Sequence, residues 1–221
     1  MKTHTKEFFD NLTPEQAYDV LMEGNKRFVS NLKINRNLLQ QVNETANVQY
    51  PFSAVLSCMD SRTSAELVFD QGLGDIFSIR VAGNVVNEDV LGSMEYACKV
   101  VGSKLIVVLG HTRCGAIHGA CDGVEMGHLT GLLEKIKPAV EKTRLEEGKL
   151  TAISSIKVTH ANVLLSIEEI IDRSSIIRGL YSSKKIGIVG GIYNVENGRV
   201  EFIKQMFGGV MNEKLPKKLI A

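Results

Sequence analysis

Residues 58–62, Cys58-Met59-Asp60-Ser61-Arg62, set a thiol, a carboxylate and a guanidinium at alternate positions. A second reactive stretch, Gly110-His111-Thr112-Arg113-Cys114-Gly115, adds an imidazole and another thiol. Thiolate and imidazole are preferred ligands of zinc, and a site with three protein ligands keeps a fourth position for water. His111 and Cys114 are three apart, so at the start of a helix they can face one ion. Cys58 stands far earlier and must arrive from a neighbouring strand. H-x-x-C is also common by chance, and a capping histidine beside a buried cysteine is its plain alternative. Asp60 has two places open to it, as a fourth ligand or as a group held off the metal by the planar fork of Arg62. A structural ion pair at a strand end would use the same two residues.

Both stretches close apolar runs. Phe52, Ala54, Val55 and Leu56 precede Cys58, and Leu105, Ile106, Val107, Val108 and Leu109 precede His111. Short runs of this kind read as buried strands, and ligands of open α/β sheets bind beyond strand carboxyl ends. Upstream, Thr13-Pro14-Glu15-Gln16 reads as a capped helix start with Gln16 completing a capping box. Ala17, Val20, Leu21, Gly24 and Phe28 carry that helix to about Asn31. Residues 36–47, with Leu38, Leu39 and Val42, read as a second short helix. Residues 1–48 thus form a helical arm ahead of the first strand, for which a partner subunit is the candidate packing surface.

After the first strand, residues 64–69 read as a short helix and 75–80 as a strand. Asp89, Val90, Met94, Ala97, Val100 and Val101 fit a helix leading into Leu105. Leu129, Leu132, Leu133, Ile136 and Val140 give another, which Pro138 kinks or restarts. Ile156, Val163, Leu164, Ile167, Ile170 and Ile171 form a long helical stripe, with His160 on that face as a core or boundary residue. Residues 185–189 read as a strand closed by Gly190-Gly191. Asn197-Gly198 marks a hairpin between 192–195 and 200–203. This alternation predicts one α/β domain over 1–221, a parallel four-stranded sheet with an added antiparallel edge strand, helices on both faces and the N-terminal arm.

At 221 residues and 44% hydrophobic content, the chain can bury a sizeable core. A formal net charge of +1 argues against a dominant field, and the clearest basic patch, Lys214, Lys217 and Lys218, reads as a solvated terminus. Nucleic acid is therefore not an expected partner. The first seven residues lack the apolar core of a secretory signal and no apolar run has bilayer-spanning length, so a cytoplasmic location and no membrane partner are expected. Four cysteines are too few for a disulfide scaffold, which leaves metal ligation or burial. Cys98 reads as core, and Cys121 lacks a ligand-spaced partner. There is no G-x-G-x-x-G after a strand, no P-loop, no G-x-S-x-G, no H-E-x-x-H and no C-x-x-C, which removes most weight from nucleotide, serine-hydrolase, zincin and redox-thiol readings.

Taken together, Cys58-x-Asp60-x-Arg62, Arg80-Val81-Ala82-Gly83-Asn84 and Gly110-His111-Thr112-Arg113-Cys114-Gly115 resemble the β-class carbonic anhydrases in order and separation, over nearly the whole chain. The resemblance implies a homodimer embraced by amino-terminal helices, or a dimer of dimers. It implies zinc on Cys58, His111 and Cys114, with Asp60 and Arg62 as a gating pair in which Asp60 closes the site on zinc or is held away from it. Gln49, Phe77, Tyr96 and Gly115 fall where members line the substrate pocket. The implied activity is a zinc lyase that hydrates carbon dioxide reversibly to bicarbonate and a proton through a metal-bound hydroxide, with His118 the nearest histidine for proton export. Two departures stand out: many members read Arg-Asn-Val-Ala-Asn where this chain has residues 80–84, and the members with an inhibitory bicarbonate pocket carry tryptophan where this chain has Val55. Hydrolysis of carbonyl sulfide or carbon disulfide on the same scaffold is the nearest alternative. A zinc-stabilised assembly or sensor protein without turnover is another, although loss of Asp60 or Arg62 would be its mark.

Overall fold

A computed structural model describes residues 4–147 and 153–208, and the basic tail at Lys214, Lys217 and Lys218 lies outside these. Five strands form one sheet in the order β2-β1-β3-β4-β5. They are β1 (Ser53–Ser57), β2 (Ile76–Arg80), β3 (Leu105–His111), β4 (Gly187–Tyr193) and β5 (Val200–Met206). The first four run parallel, and β5 pairs antiparallel with β4. Strands β1 and β3 are buried at every position, as parallel strands covered on both faces must be, which is why they read as unbroken apolar runs. The edge strand β2 alternates instead.

Helices α1 (Lys6–Asn11), α2 (Pro14–Val29) and α4 (Ala65–Val68) cover one face, where Phe9, Leu21, Val68 and Phe69 pack with Phe52, Val55 and Val107. On the other, α5 (Glu88–Glu95), α9 (Ser155–Arg173) and α10 (Ser175–Ser182) bring Val90, Met94, Val163, Ile167, Ile170 and Ile177 onto Leu56, Ile106, Val108 and Ile188. A third cluster, at the carboxyl ends of the strands, joins Cys58 and Cys114 to Val85, Ile117, Ile136 and Val158, drawing on α6 (Gly115–Asp122) and α8 (Lys137–Glu147). Helices α3 (Leu38–Thr45) and α7 (Gly127–Glu134) complete the set among the described residues. Among the described residues, no helix is long and apolar enough to cross a membrane.

The helix starting at Pro14 has its full capping box, Thr13 with Gln16, and Pro138 restarts rather than kinks, as the second residue of α8. Two expectations about these elements need correction. Gly190 and Gly191 do not close the fourth strand but lie inside it. A Cβ at Gly190 would sit 2.7 Å from Val163 and 2.8 Å from Ile167, and one at Gly110 on β3 would sit 2.7 Å from Val163. These glycines are there to let α9 approach the sheet closely. The helix expected to run from Asp89 to Val101 changes to a π-helical turn at Tyr96–Val101. Helices α1 and α10, of six and eight residues, are too short to show a period and escaped the sequence reading.

The arm is tied down by charge as well as by packing. Buried Asp70 accepts from Arg27 Nε at 2.6 Å, from Arg36 Nη1 at 2.5 Å and from the Ile34 amide at 3.2 Å. Burial alone would raise its pKa, yet the two guanidiniums and the amide outweigh it and hold the carboxyl below its ordinary value. Helix α3 buries Gln41, whose side chain accepts from the Leu73 amide, but leaves Leu38, Leu39 and Val42 exposed.

Candidate metal centre

Pairing of Ser57 with Leu109 puts the carboxyl ends of β1 and β3 side by side. Cys58 follows β1 directly, and His111 is the last residue of β3. His111 is therefore not on a helix, contrary to the expectation from its spacing to Cys114. Thr112 and Arg113 turn the chain, with Arg113 at φ 55°, and Cys114 becomes the N-cap residue of α6. One potential ligand atom from each of Cys58, His111 and Cys114 lies within 4.8 Å of the others, and all three residues are buried. The two sulfurs are 3.9 Å apart.

The donor set fits a divalent ion on grounds internal to the site. Nδ1 of His111 lies 2.9 Å from the Thr112 carbonyl, which can only accept, so the proton sits on Nδ1 and Nε2 keeps its lone pair. Among the described residues, that Nε2 is buried with no hydrogen-bond partner, a costly arrangement unless something electrophilic meets it. The thiols favour ligation too. The Cys114 thiol donates to Cys58, which pulls the Cys58 pKa well below the usual thiol range against the cost of burial, and the Asp60 and Gly83 amides help. The same pairing raises Cys114, burial adds to it, and the amides of Ile117 and Ala116 work the other way. One thiolate is thus prepared in advance, and a cation would supply the charge that ionises the second.

Asp60 is held by its neighbour. Arg62 donates from Nε to Oδ1 at 2.9 Å and from Nη2 to Oδ2 at 2.8 Å, and its amide reaches Oδ1 at 3.0 Å. The Arg62 hydrogen bonds hold the carboxyl well below the ordinary carboxylate range despite some burial. Asp60 stands outside the three-residue ligand group. Two residues whose individual contacts the sequence reading did not foresee brace this loop. Arg80 donates to the Asp60 carbonyl at 2.6 Å and the Cys58 carbonyl at 3.3 Å, and the buried Thr63 hydroxyl meets both carbonyls at 2.9 Å. Arg80 stands in the segment 80–84 that carries the resemblance and ends β2, beside the residues it grips.

The other expected residues scatter. Gly115 opens α6, so its amide is one of the helix's free donors. His118 is exposed one turn further along α6, and half-buried His160 is a boundary residue of α9. Gln49 precedes β1, a strand-length from Cys58 at the sheet's opposite end. Phe77 pairs with Ala54 near that same end, and its ring meets Tyr96 edge-on at 6.2 Å. These two aromatics line a cleft with Glu88, Asp89 and Ser93, which none of Cys58, Asp60, His111 and Cys114 lines. Within one chain, then, Gln49, Phe77 and Tyr96 do not join the ligand group. Cys98 is a core thiol pushed up to about 12 by burial, and half-buried Cys121, also raised by burial, stays apart.

Residues 53–200 match the family model described as carbonic anhydrase. Carbonic anhydrase 2 of Mycobacterium tuberculosis is 37% identical over 197 residues, covering 86% of this chain and 92% of its own. Carbonic anhydrase of Mycolicibacterium smegmatis is 34% identical over 197 residues, covering 86% and 94%. Among solved structures, the Coccomyxa β-carbonic anhydrase shares the fold with a TM-score of 0.68 at 22% identity, over 88% of this chain and 85% of its own. A β-carbonic anhydrase from Sordaria macrospora, described as tetrameric, does so with a TM-score of 0.65 at 24% identity, over 73% and 84%.

Proposed function

The chain belongs to the β-class carbonic anhydrases, enzymes whose general activity is carbon dioxide hydration, and from that premise we propose that it converts carbon dioxide and bicarbonate at a zinc ion held by Cys58, His111 and Cys114. The observation that carries the reading is the convergence of those three ligand atoms, with an unpartnered imidazole nitrogen among them, beside a carboxylate already engaged by arginine. Bound there, zinc supplies the Lewis acidity that lets water attack carbon near neutral pH.

The remaining work falls to side chains and amides. Arg62 fixes the Asp60 carboxylate and keeps it ionised, so that Asp60 accepts a hydrogen bond from the attacking water and aims its lone pair at carbon. Arg80 and Thr63, by gripping the Cys58 and Asp60 carbonyls, hold ligand and carboxylate at constant separation. The free Gly115 amide donates to an oxygen of bicarbonate as charge develops there. Exposed His118 is the candidate acceptor for proton export. Gln49, Phe77 and Tyr96 touch substrate in this reading only if a second copy of the chain brings them to the ligand group, which ties the pocket to a homodimer. We place residues 1–48 at that dimer interface and allow for a dimer of dimers, as in the tetrameric relatives from Sordaria macrospora. A single domain and a cytoplasmic location belong to the same proposal.

The test is metal analysis beside stopped-flow carbon dioxide hydration and sulfide release from carbonyl sulfide. The expected outcome is about one zinc per chain, as the three-ligand site requires, with fast hydration and little sulfide. Cys58→Ser should lose both the metal and the activity. Zinc retained in full by that variant would remove Cys58 from the ligand set, and dominant sulfide release would give the scaffold to the sulfur substrates.

A further inference from the structure

Gly83 links the ligand group to α9. Its amide donates to Cys58 Sγ at 3.3 Å, from a tight turn spanning Ala82–Asn84 with no side-chain cap. The residue has to be glycine for two reasons. Its φ is 66°, in the left-handed region, and a Cβ would lie 2.6 Å from Ile136 Cδ1 and 3.2 Å from Ala116 Cβ. A glycine at such a position has wide backbone freedom, so something else must hold its N–H on the sulfur.

Asn162, in the middle of α9, provides that hold. It is only 4% exposed, and its Nδ2 donates to the Gly83 carbonyl at 2.9 Å. A buried carboxamide, here one helix turn from buried Thr159 and Ser166, costs stability unless its hydrogen bonds are made. The next residue, Val163, is the side chain that packs into the space left by Gly110 and Gly190. Gly110 directly precedes His111, so one helix turn of α9 is registered against the strand that delivers the imidazole and against the turn that donates to the thiolate.

We propose that Asn162 is a positioning residue for the metal centre: by clamping the Gly83 carbonyl it aims the Gly83 amide at Cys58 Sγ, drawing charge from that thiolate and fixing its direction relative to His111. This rests on Cys58 being a ligand, as proposed above. Outer hydrogen bonds to ligating groups set both affinity and electronic character, and losing one typically weakens metal binding about 10- to 100-fold.

The experiment uses the full chain with Asn162→Leu, which keeps the volume and removes the donor, and Asn162→Ala as a second variant should leucine disturb folding. Ile170→Val, a fully buried position on the same helix two turns along, controls for loss of stability alone. Zinc affinity is read by competition with a chelator, and the thiolate-to-metal charge-transfer band is read after cobalt(II) substitution. Either Asn162 variant should bind zinc at least about 10-fold more weakly and show the band at lower energy, since a thiolate relieved of a donor gives up charge more easily. Ile170→Val should match wild type in both. Wild-type affinity and an unmoved band in the folded Asn162 variants would overturn the assignment while leaving the metal site standing. Wild-type protein that takes up neither metal would overturn the site and the assignment together.

Discussion

Asp60 has its two carboxylate oxygens engaged by one side chain, Arg62, and this decides its protonation. With its pKa held below the ordinary carboxylate range by Arg62, Asp60 stays ionised at neutral and mildly acidic pH, so an acid limb in the pH–rate profile would belong to another group. Asp60→Asn leaves the three-residue ligand group untouched and removes the carboxylate that accepts the attacking water's hydrogen bond. The variant is expected to keep its zinc while kcat/KM falls about 100-fold near neutral pH, the upper range for losing one hydrogen bond to a charged group. Paired metal analysis and hydration kinetics across pH would check this. A variant whose pH–rate curve overlays wild type would make the Asp60–Arg62 pair structural only.

At the scale of elements, Asp70 joins α2 and the approach to α3 to the turn after α4, through Arg27 and Arg36. It has φ 46°, a conformation asparagine tolerates well, so Asp70→Asn removes the charge without adding backbone strain. Arg36, whose side chain is 9% exposed, would then be left as a poorly solvated cation. The expected loss is roughly 3 kcal/mol, in the range for breaking a buried pair from one side. The sign with pH follows from a folded pKa below the unfolded value of about 3.9. The contribution is present above that unfolded value and is lost as pH falls through the lower folded one. Urea unfolding at neutral pH should therefore separate variant from wild type, and the gap should close as the pH is lowered into that range. A gap that stays constant with pH would mean the ion pair is not its source.

For the molecule as a whole, the outward face of the arm is the feature a single chain leaves unexplained. Leu39 is 72% exposed and Val42 48%, and neighbouring Leu38 is exposed with them, on a helix whose other face docks Gln41 against the domain. Apolar groups gathered in this way mark a contact surface. Replacing Leu39 and Val42 with glutamate should convert the proposed dimer to monomer without unfolding the domain, as read by light scattering alongside circular dichroism. If Gln49, Phe77 and Tyr96 reach substrate through the second copy, activity should fall with the dimer while zinc content persists. An unchanged molar mass would move the interface away from α3.

The amino-acid sequence by itself was enough to place Cys58 and His111 at the ends of buried strands, because a parallel strand covered on both faces has to be an unbroken apolar run. It was also enough to cap α2 and to set the edge hairpin at Asn197-Gly198, since those signals are local and chemical. It could not show that Gly190-Gly191 lies within a strand, because the reason is a helix from elsewhere in the chain needing room. Nor could it show that Thr63, Arg80 and Asn162 brace the ligand loop, or that Asp60 is turned toward Arg62. The Arg80 and Asn162 contacts join residues by register and packing and leave no period in the chain, while the Asp60–Arg62 and Thr63 contacts are local but turn on side-chain rotamers that residue types alone leave open. The ligand types were therefore legible one residue at a time, while their meeting within 4.8 Å was decided by the pairing of β1 with β3.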